Sequence, residues 1–258
     1  MKIIRFNSSK YQEKYGWILD DRVGLIEGDL FSEYRRLEPT LPLSKVEILA
    51  PVNPSKVVCI ARNYEDHAKE HGVELPEIPM IFLKPPSAVI KPEGTIVTPP
   101  FSGQVEHEAE LAVVIGKSGR WIEPGEVREH ILGYTIANDV TARDLQHKDG
   151  QWSRAKGFDT FCPLGPWIET DLDPSDLLIT CRVNGELRQM SSTKEMIFSI
   201  PKIVSFISNI MTLNSGDVIL TGTPAGVGQI EDGDSVEIEI DGIGILRNDV
   251  TRFDENYQ

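Results

Sequence analysis

Two glutamates two residues apart, at the start of an apolar run, have the spacing of a chemical site. Glu108 and Glu110 lead into residues 111–115, LAVVI, whose composition suits a buried strand. Side chains at i and i+2 of a strand point to the same face, so both carboxylates project together. Two buried like charges need a cation, and a hard divalent ion such as Mg²⁺ or Mn²⁺ prefers oxygen ligands.

Asp139 offers a third carboxylate in a similar position. Residues 131–138 read ILGYTIAN, which predicts a strand, and Asp139 follows it directly. A carboxylate at the point where a buried strand emerges could reach the same ion as Glu108 and Glu110. The alternative is a surface strand with solvated glutamates, which is the usual state of this residue. The glutamate pair alone does not decide between them.

A histidine and a glutamate three residues apart lie in the predicted short helix at residues 65–71, EDHAKEH. His67 and Glu70 would share one helical face. A carboxylate that orients an imidazole makes a general-base unit, whereas the alternative is an exposed polar helix. The loop at residues 72–79 contains two prolines and is a candidate lid over a substrate.

Lys156 is a further candidate, in the loop-like stretch at residues 152–163 and beside Gly157. A lysine near a metal could bind a carboxylate or an enolate, although most lysines are solvated. Residues 221–228, TGTPAGVG, form a glycine-rich loop of the kind that binds anions through backbone N–H groups. They lack the patterns of nucleotide-binding loops.

These candidates must be positioned by short strands, hairpins and one amphipathic helix. Asn184-Gly185 and Asp241-Gly242 predict hairpin turns, and apolar residues within 199–213 recur at helical spacing. The pattern predicts a β-rich α+β fold. We expect a small N-terminal β domain at residues 1–51 and a catalytic domain at residues 52–258.

Composition restricts the partners. The 258 residues carry a net charge of −14 without a basic cluster, which disfavours nucleic acid and anionic membranes as partners. No apolar run approaches the ~18 residues of a membrane span. Three scattered cysteines and no signal-peptide pattern indicate reduced thiols and a cytoplasmic protein.

Several motifs together resemble those of the fumarylacetoacetate hydrolase family, over roughly residues 57–250. In chain order they are RNYxxHxxE (62–70), FLKP (82–85), HExEL (107–111), NDVTARDLQ (138–146), KGFDTFCPLGP (156–166), RVNGELRQ (182–189) and GTPAGVG (222–228). The resemblance implies a mixed β-sandwich or β-roll catalytic fold, usually with a small N-terminal β part, and a homodimer.

The resemblance also implies roles for single residues. It assigns Mg²⁺ or Mn²⁺ to Glu108, Glu110 and Asp139, and it places the His67–Glu70 pair on the lid. The residues that it implies for substrate contact are Arg62, Tyr64, Gln146, Lys156 and Thr223.

The implied substrates are small anionic 2-oxo acids with a second carbonyl or carboxylate two carbons further on. We expect hydrolysis of a carbon–carbon bond in acylpyruvate-type 2,4-dioxo acids, through a pyruvate enolate that the metal and Lys156 stabilise. His67 would then activate the attacking water. Decarboxylation or tautomerisation of oxaloacetate or a related dioxo acid is the alternative, because all three reactions share the enolate. A catalytically idle protein that binds a metal–dicarboxylate is a third possibility.

Overall fold

The computed structural model describes residues 1–70, residue 72 and residues 74–254. The described part contains 21 strands and five α-helices, which confirms the predicted β-rich α+β class. The strands are β1 (Lys2–Asn7), β2 (Lys14–Leu19), β3 (Arg22–Gly28), β4 (Tyr34–Arg36), β5 (Leu41–Pro42), β6 (Glu47–Ile48), β7 (Val57–Ala61), β8 (Met80–Lys84), β9 (Val89–Ile90), β10 (Thr95–Thr98), β11 (Val105–His107), β12 (Ala109–Ile115), β13 (Ile131–Asn138), β14 (Thr141–Ala142), β15 (Cys162–Glu169), β16 (Leu178–Val183), β17 (Glu186–Ser192), β18 (Val218–Leu220), β19 (Gly228–Gln229), β20 (Ser235–Ile240) and β21 (Gly244–Arg252). The helices are α1 (Glu65–Glu70), α2 (Val127–His130), α3 (Arg143–Asp149), α4 (Ser153–Lys156) and α5 (Ile200–Ile210).

The largest sheet has the strand order β4-β3-β2-β1-β15-β13-β12-β18-β7-β8, with β5, β6 and β9 paired at its sides. Strand β12 lies near its centre, antiparallel to β13 and β18. Every residue of β12 is buried, because the strand has a hydrophobic core on each face. Leu111 and Val113 belong to one core and Ala112 and Val114 to the other, as the period of a strand requires.

A five-stranded sheet, ordered β10-β21-β20-β16-β17, packs over one face of the large sheet. Apolar side chains of β16, β20 and β21 share a core with those of β12 and β13, which makes this part a β-sandwich. Helix α5 adds Ile203 and Ile207 to the same core, which confirms its predicted amphipathic face. A third sheet, β14-β11-β19, lies beside the start of β12.

The predicted hairpin turns are confirmed. Asn184 and Gly185, both with positive φ, connect the antiparallel strands β16 and β17. Asp241 and Gly242 lie between β20 and β21, and Gly242 has a φ of 77°. Asparagine and glycine are the residues that tolerate this left-handed backbone at least cost.

Strands of the first 51 residues extend the large sheet. Strand β1 pairs with β15 of the later part of the chain, and β2, β3 and β4 continue outward from it. Ile4, Phe6 and Val23 form a small core of their own. The division of the chain into a domain at residues 1–51 and a domain at residues 52–258 stays a prediction, with a continuous sheet across it.

In the described residues, no helix has both the length and the apolar character that crossing a bilayer requires.

Candidate active site

Three carboxylates converge at the end of the central strands. Glu108, Glu110 and Asp139 are all buried, and each offers a ligand atom within 4.8 Å of the other two. Strand pairing explains the convergence, because Ala109 is paired with Asn138, the residue before Asp139. In addition, the backbone N–H of Asp139 donates to the carbonyl of Glu108 at 2.9 Å. The sequence prediction that these three side chains lie together is confirmed.

Two buried lysines contact this acidic triad. The Lys156 ammonium donates to Oε2 of Glu108 at 2.8 Å and to Oδ2 of Asp139 at 2.7 Å. The Lys84 ammonium donates to Oδ1 of Asp139 and to the carbonyl of Val140. Lys156 is the last residue of helix α4, so the sequence interpretation of residues 152–163 as a loop was wrong at this point. The short helix fixes the lysine beside the carboxylates.

Arg143, at the start of α3, is a third buried cation. Its guanidinium donates to Oε1 of Glu108 at 2.6 Å, to Oε2 of Glu106 at 2.7 Å and to Oε1 of Gln146 at 2.6 Å. The sequence analysis missed Arg143 and Lys84, although both lie inside the family motifs. Only their burial against carboxylates separates them from solvated cations.

The electrostatics of the triad suit a dication. Although burial opposes ionisation of Glu108, the charges of Lys156 and Arg143 hold the pKa of its carboxyl well below the usual range. Burial, followed by the charges of Asp139 and Glu108, raises the pKa of Glu110 well above its usual range. In the described residues Glu110 has no salt bridge, and Gly222 N–H donates to its Oε2. A hard divalent cation would supply the missing compensation.

His67 and Glu70 lie on helix α1, beside this cluster. His67 is buried, and its Nδ1 atom lies 3.6 Å from Oε2 of Glu70. Both carboxylate oxygens of Glu70 accept the N–H of Gly226 at 3.2 Å, so the helix is held against the glycine-rich loop. The predicted helix is confirmed for residues 65–70. His71 and Val73, within the predicted helix and lid respectively, lie outside the described residues.

One cavity of about 200 Å³ brings most of the predicted site together. The three carboxylates line it with Arg62, His67, Gln146, Lys156 and Thr223. Its wall also contains six residues that the sequence analysis did not single out, namely Ile60, Ala61, Phe82, Arg143, His147 and Trp152.

Two predicted residues lie elsewhere. Tyr64 lines a neighbouring cavity with Met196 and Pro224, and its buried hydroxyl has no hydrogen-bond partner in the described residues. Glu70 lies behind His67 rather than in the cavity wall.

Arg62, which lines the cavity, directly follows β7 and has a φ of 56°, a conformation that non-glycine residues adopt mainly at functional sites and turns. The catalytic and substrate-binding roles of all these residues stay predictions.

Comparisons with known proteins agree with this geometry. A family model described as "Fumarylacetoacetate (FAA) hydrolase C-terminal" matches residues 56–251, and one described as "Rv2993c-like, N-terminal" matches residues 1–51. Oxaloacetate tautomerase FAHD2B, mitochondrial, from Bos taurus is 47% identical over 225 residues, which are 82% of this chain and 72% of that protein.

Solved structures share the whole fold. The crystal structure of 5-carboxymethyl-2-hydroxymuconate delta-isomerase from Mycobacterium smegmatis has a TM-score of 0.92 and 47% identity, covering 98% of this chain and 100% of that chain. Maleylpyruvate hydrolase from Sphingobium sp. SYK-6, solved in complex with manganese(II) ion and pyruvate, has a TM-score of 0.81 and 30% identity with the same coverage. Similar proteins therefore carry isomerase, tautomerase and hydrolase names.

Proposed function

The chain belongs to the fumarylacetoacetate hydrolase family, and from this premise we propose that it is an enzyme that interconverts the keto and enol forms of a small 2-oxo dicarboxylic acid of the oxaloacetate type. The single observation that carries the proposal is the shared cavity, in which the buried carboxylate triad, Lys156 and His67 meet. Its volume of about 200 Å³ suits a small acid better than a long one.

Glu108, Glu110 and Asp139 would hold Mg²⁺ or Mn²⁺. When bound, such an ion supplies a Lewis acid that draws electron density from a 2-oxo group and makes the neighbouring C–H more acidic. Arg62 and Gln146, which both line the cavity, would bind the substrate carboxylates.

Lys156 would stabilise the enolate oxygen. Burial lowers the pKa of its ammonium, but the charges of Asp139 and Glu108 outweigh this effect and raise the pKa above its usual value. The ammonium therefore stays protonated at neutral pH. A fixed positive charge next to a developing negative charge is the arrangement that stabilises a transition state most effectively.

His67 would carry the proton. In the keto-to-enol direction the C3–H electron pair becomes the C2=C3 bond, the C2=O π pair moves onto the oxygen, and the C3 proton passes to the neutral imidazole. The imidazolium then gives that proton, directly or through water, to the enolate oxygen and returns to its neutral form. Atoms and charge balance without a co-reactant. Glu70, 3.6 Å from His67, would orient the ring and support its charged form.

Hydrolysis of an acylpyruvate is the second candidate, and the His67–Glu70 pair is the observation that favours it, since the same base could activate water. The sequence analysis placed hydrolysis first. We place tautomerisation first because relatives with isomerase and tautomerase names reach 47% identity, whereas the fumarylacetoacetate hydrolase from Exiguobacterium antarcticum is at 37% and the maleylpyruvate hydrolase is at 30%.

The test is a substrate panel with the Mg²⁺- or Mn²⁺-loaded protein. Oxaloacetate added as the enol should lose its ultraviolet enol absorbance much faster than in buffer, while acetylpyruvate and fumarylpyruvate should release little pyruvate. Glu108→Ala should abolish the activity, whereas Glu239→Ala, which removes an exposed glutamate of β20, should leave it unchanged. Unaccelerated enol decay would refute tautomerisation, and rapid pyruvate release from the acylpyruvates would establish hydrolysis instead.

We also propose a homodimer, and a domain division after residue 51. Analytical ultracentrifugation and limited proteolysis test these two proposals. A cytoplasmic location is proposed from the three cysteines, which are all free and buried.

A further inference from the structure

Gln189 lies on β17, in the five-stranded sheet. Its side chain nevertheless contacts residues 107–109, which include the proposed metal ligand Glu108, and the loop at residues 223–224 beside the cavity. Its side chain is buried, with 1% exposure. The amide oxygen accepts the backbone N–H of Ala109 at 3.0 Å and lies 3.1 Å from Nδ1 of His107. The amide nitrogen donates to Oγ1 of Thr223 at 2.9 Å and to the carbonyl of Pro224 at 2.8 Å.

These contacts allow one orientation of the amide. An exchange of its oxygen and nitrogen would put the NH₂ group against the N–H of Ala109 and the C=O group against the carbonyl of Pro224. Both pairings are repulsive. Gln189 therefore acts as an acceptor toward the segment at residues 107–109 and as a donor toward the loop at residues 223–224.

The acceptor end lies at the break between β11 and β12. Glu108 belongs to neither strand, and its N–H donates to the side chain of Asn138 at 3.0 Å. The next N–H, of Ala109, is the one that Gln189 accepts. Ala109 lies between Glu108 and Glu110, so the position of its backbone sets the separation of these two carboxylates. The Gln189 side chain, from another sheet, thus holds Ala109 in the middle of the proposed metal-binding segment, residues 108–110.

The amide nitrogen of Gln189 determines where the Thr223 hydroxyl directs its proton. Oγ1 of Thr223 accepts from Gln189, so the threonine must direct its own proton elsewhere. Within the described residues this hydroxyl donates to no protein acceptor, and Thr223 lines the cavity. The hydroxyl is therefore available as a donor to an anionic oxygen in the cavity.

We propose that Gln189 is a positioning residue that couples the two halves of the site. It holds Ala109 so that Glu108 and Glu110 share one cation, and it orients the Thr223 hydroxyl toward a carboxylate of the bound acid. The second half of this statement rests on the proposed function, whereas the first half concerns metal binding alone.

Gln189→Met keeps the size of the side chain and removes all four contacts. We expect the dissociation constant for Mn²⁺, measured by calorimetry on the chelator-treated and dialysed protein, to rise about ten- to hundredfold, the usual effect of losing a contact that orients metal ligands. Gln229→Met is the matched control, because it removes an exposed glutamine that bonds to Gly103, and it should bind Mn²⁺ like the wild type. Unchanged Mn²⁺ affinity in folded Gln189→Met would overturn the proposal.

Gln189→Glu tests the same proposal if the methionine variant does not fold. It keeps an oxygen acceptor toward Ala109 but has at most one proton for the two acceptors on Thr223 and Pro224. Mn²⁺ affinity should stay within about threefold. Binding of oxalate, an enolate-shaped dianion, to the Mn²⁺-loaded protein should weaken. A large loss of Mn²⁺ affinity in this variant would contradict the role given to the acceptor end.

Thr223→Val isolates the donor end. It should leave Mn²⁺ affinity within about twofold and weaken oxalate binding about tenfold or more, the usual effect of losing a hydrogen bond to a charged group. Thr223→Ser should restore the binding. If Gln189 acts on the acid through Thr223, adding Thr223→Val to Gln189→Met should raise the dissociation constant for oxalate less than twofold above that of Gln189→Met alone. Multiplicative defects would refute the coupling. None of these measurements depends on turnover, so a wild-type protein without tautomerase activity would refute only the proposed function.

Discussion

Replacing Glu110 by glutamine should stabilise the metal-free protein and abolish its response to metal. Four buried carboxylates, of Glu106, Glu108, Glu110 and Asp139, are surrounded by only three buried cations in the described residues of this cluster. Among the described residues, Glu110 is the one of these four carboxylates without a salt bridge. Glutamine keeps its shape and an oxygen for the N–H of Gly222, but removes the charge.

The expected gain is about 1–3 kcal/mol at neutral pH, the usual cost of an incompletely compensated buried polar group. In a domain of this size, that raises the melting temperature by about 2–12 °C. The sign of the pH dependence follows from the pKa of Glu110, which folding raises. A carboxyl group whose pKa is raised by folding destabilises the folded protein at pH values above 4.5, which is its pKa in the unfolded chain. The advantage of the variant should therefore be absent near pH 4 and grow by up to about 1.4 kcal/mol per pH unit above it.

The assay is thermal unfolding in chelator and with Mn²⁺ at 100 times its dissociation constant. Mn²⁺ should stabilise the wild type by about 2.7 kcal/mol, or roughly 5–11 °C, and leave the Glu110→Gln variant unchanged. Glu239→Gln, at an exposed site, is the control and should behave like the wild type under both conditions. A variant that melts below the wild type in chelator, yet still gains stability from Mn²⁺, would refute the assignment of Glu110 as a metal ligand.

Three further outcomes are expected. His67→Ala should lower kcat about a hundredfold or more, as the loss of a general base does, while calorimetry shows an unchanged Mn²⁺ affinity. A fall in kcat of only about tenfold would contradict the role of His67 in proton transfer. Lys84→Met leaves a buried aspartate short of a cation and should cost about 3–5 kcal/mol in urea unfolding, whereas the exposed Lys69→Met should cost less than about 0.5 kcal/mol. Burial raises the pKa of the thiols of Cys162 and Cys181 to about 12, so that at pH 8 only about one in ten thousand is a thiolate. Mass spectrometry should find both unalkylated by iodoacetamide in the native protein and alkylated in denaturant, and rapid native labelling at pH 8 would contradict the burial.

Local patterns were enough to predict much of the fold. The hairpin at Asn184-Gly185 follows from the backbone preferences of two residues, and α5 follows from apolar spacing. The alternation of Glu108 and Glu110 along a strand also predicts their common face. These predictions depend on neighbours in the chain, and such relations are the same in any fold.

The loop interpretation around Lys156 shows where local patterns stop. Its four-residue helix is too short to leave a periodic signal, and its place is set by contacts with carboxylates far away in the sequence. Lys84 and Arg143 were missed for a related reason. A sequence shows that a residue has a charge, but not whether that charge is buried against another.

By itself, the sequence of this protein determined which residues carry oxygen donors, imidazole and ammonium groups, and in which motifs they occur. Only the tertiary structure decided which charges face one another, that within the described residues Glu110 alone of the triad lacks a salt bridge, and that Gln189 reaches residues 107–109 from a different sheet. The physical reason is distance. Electrostatic compensation and buried hydrogen bonds act over a few ångströms in space, whereas Gly222 and Glu110, for example, are separated by 112 positions along the chain.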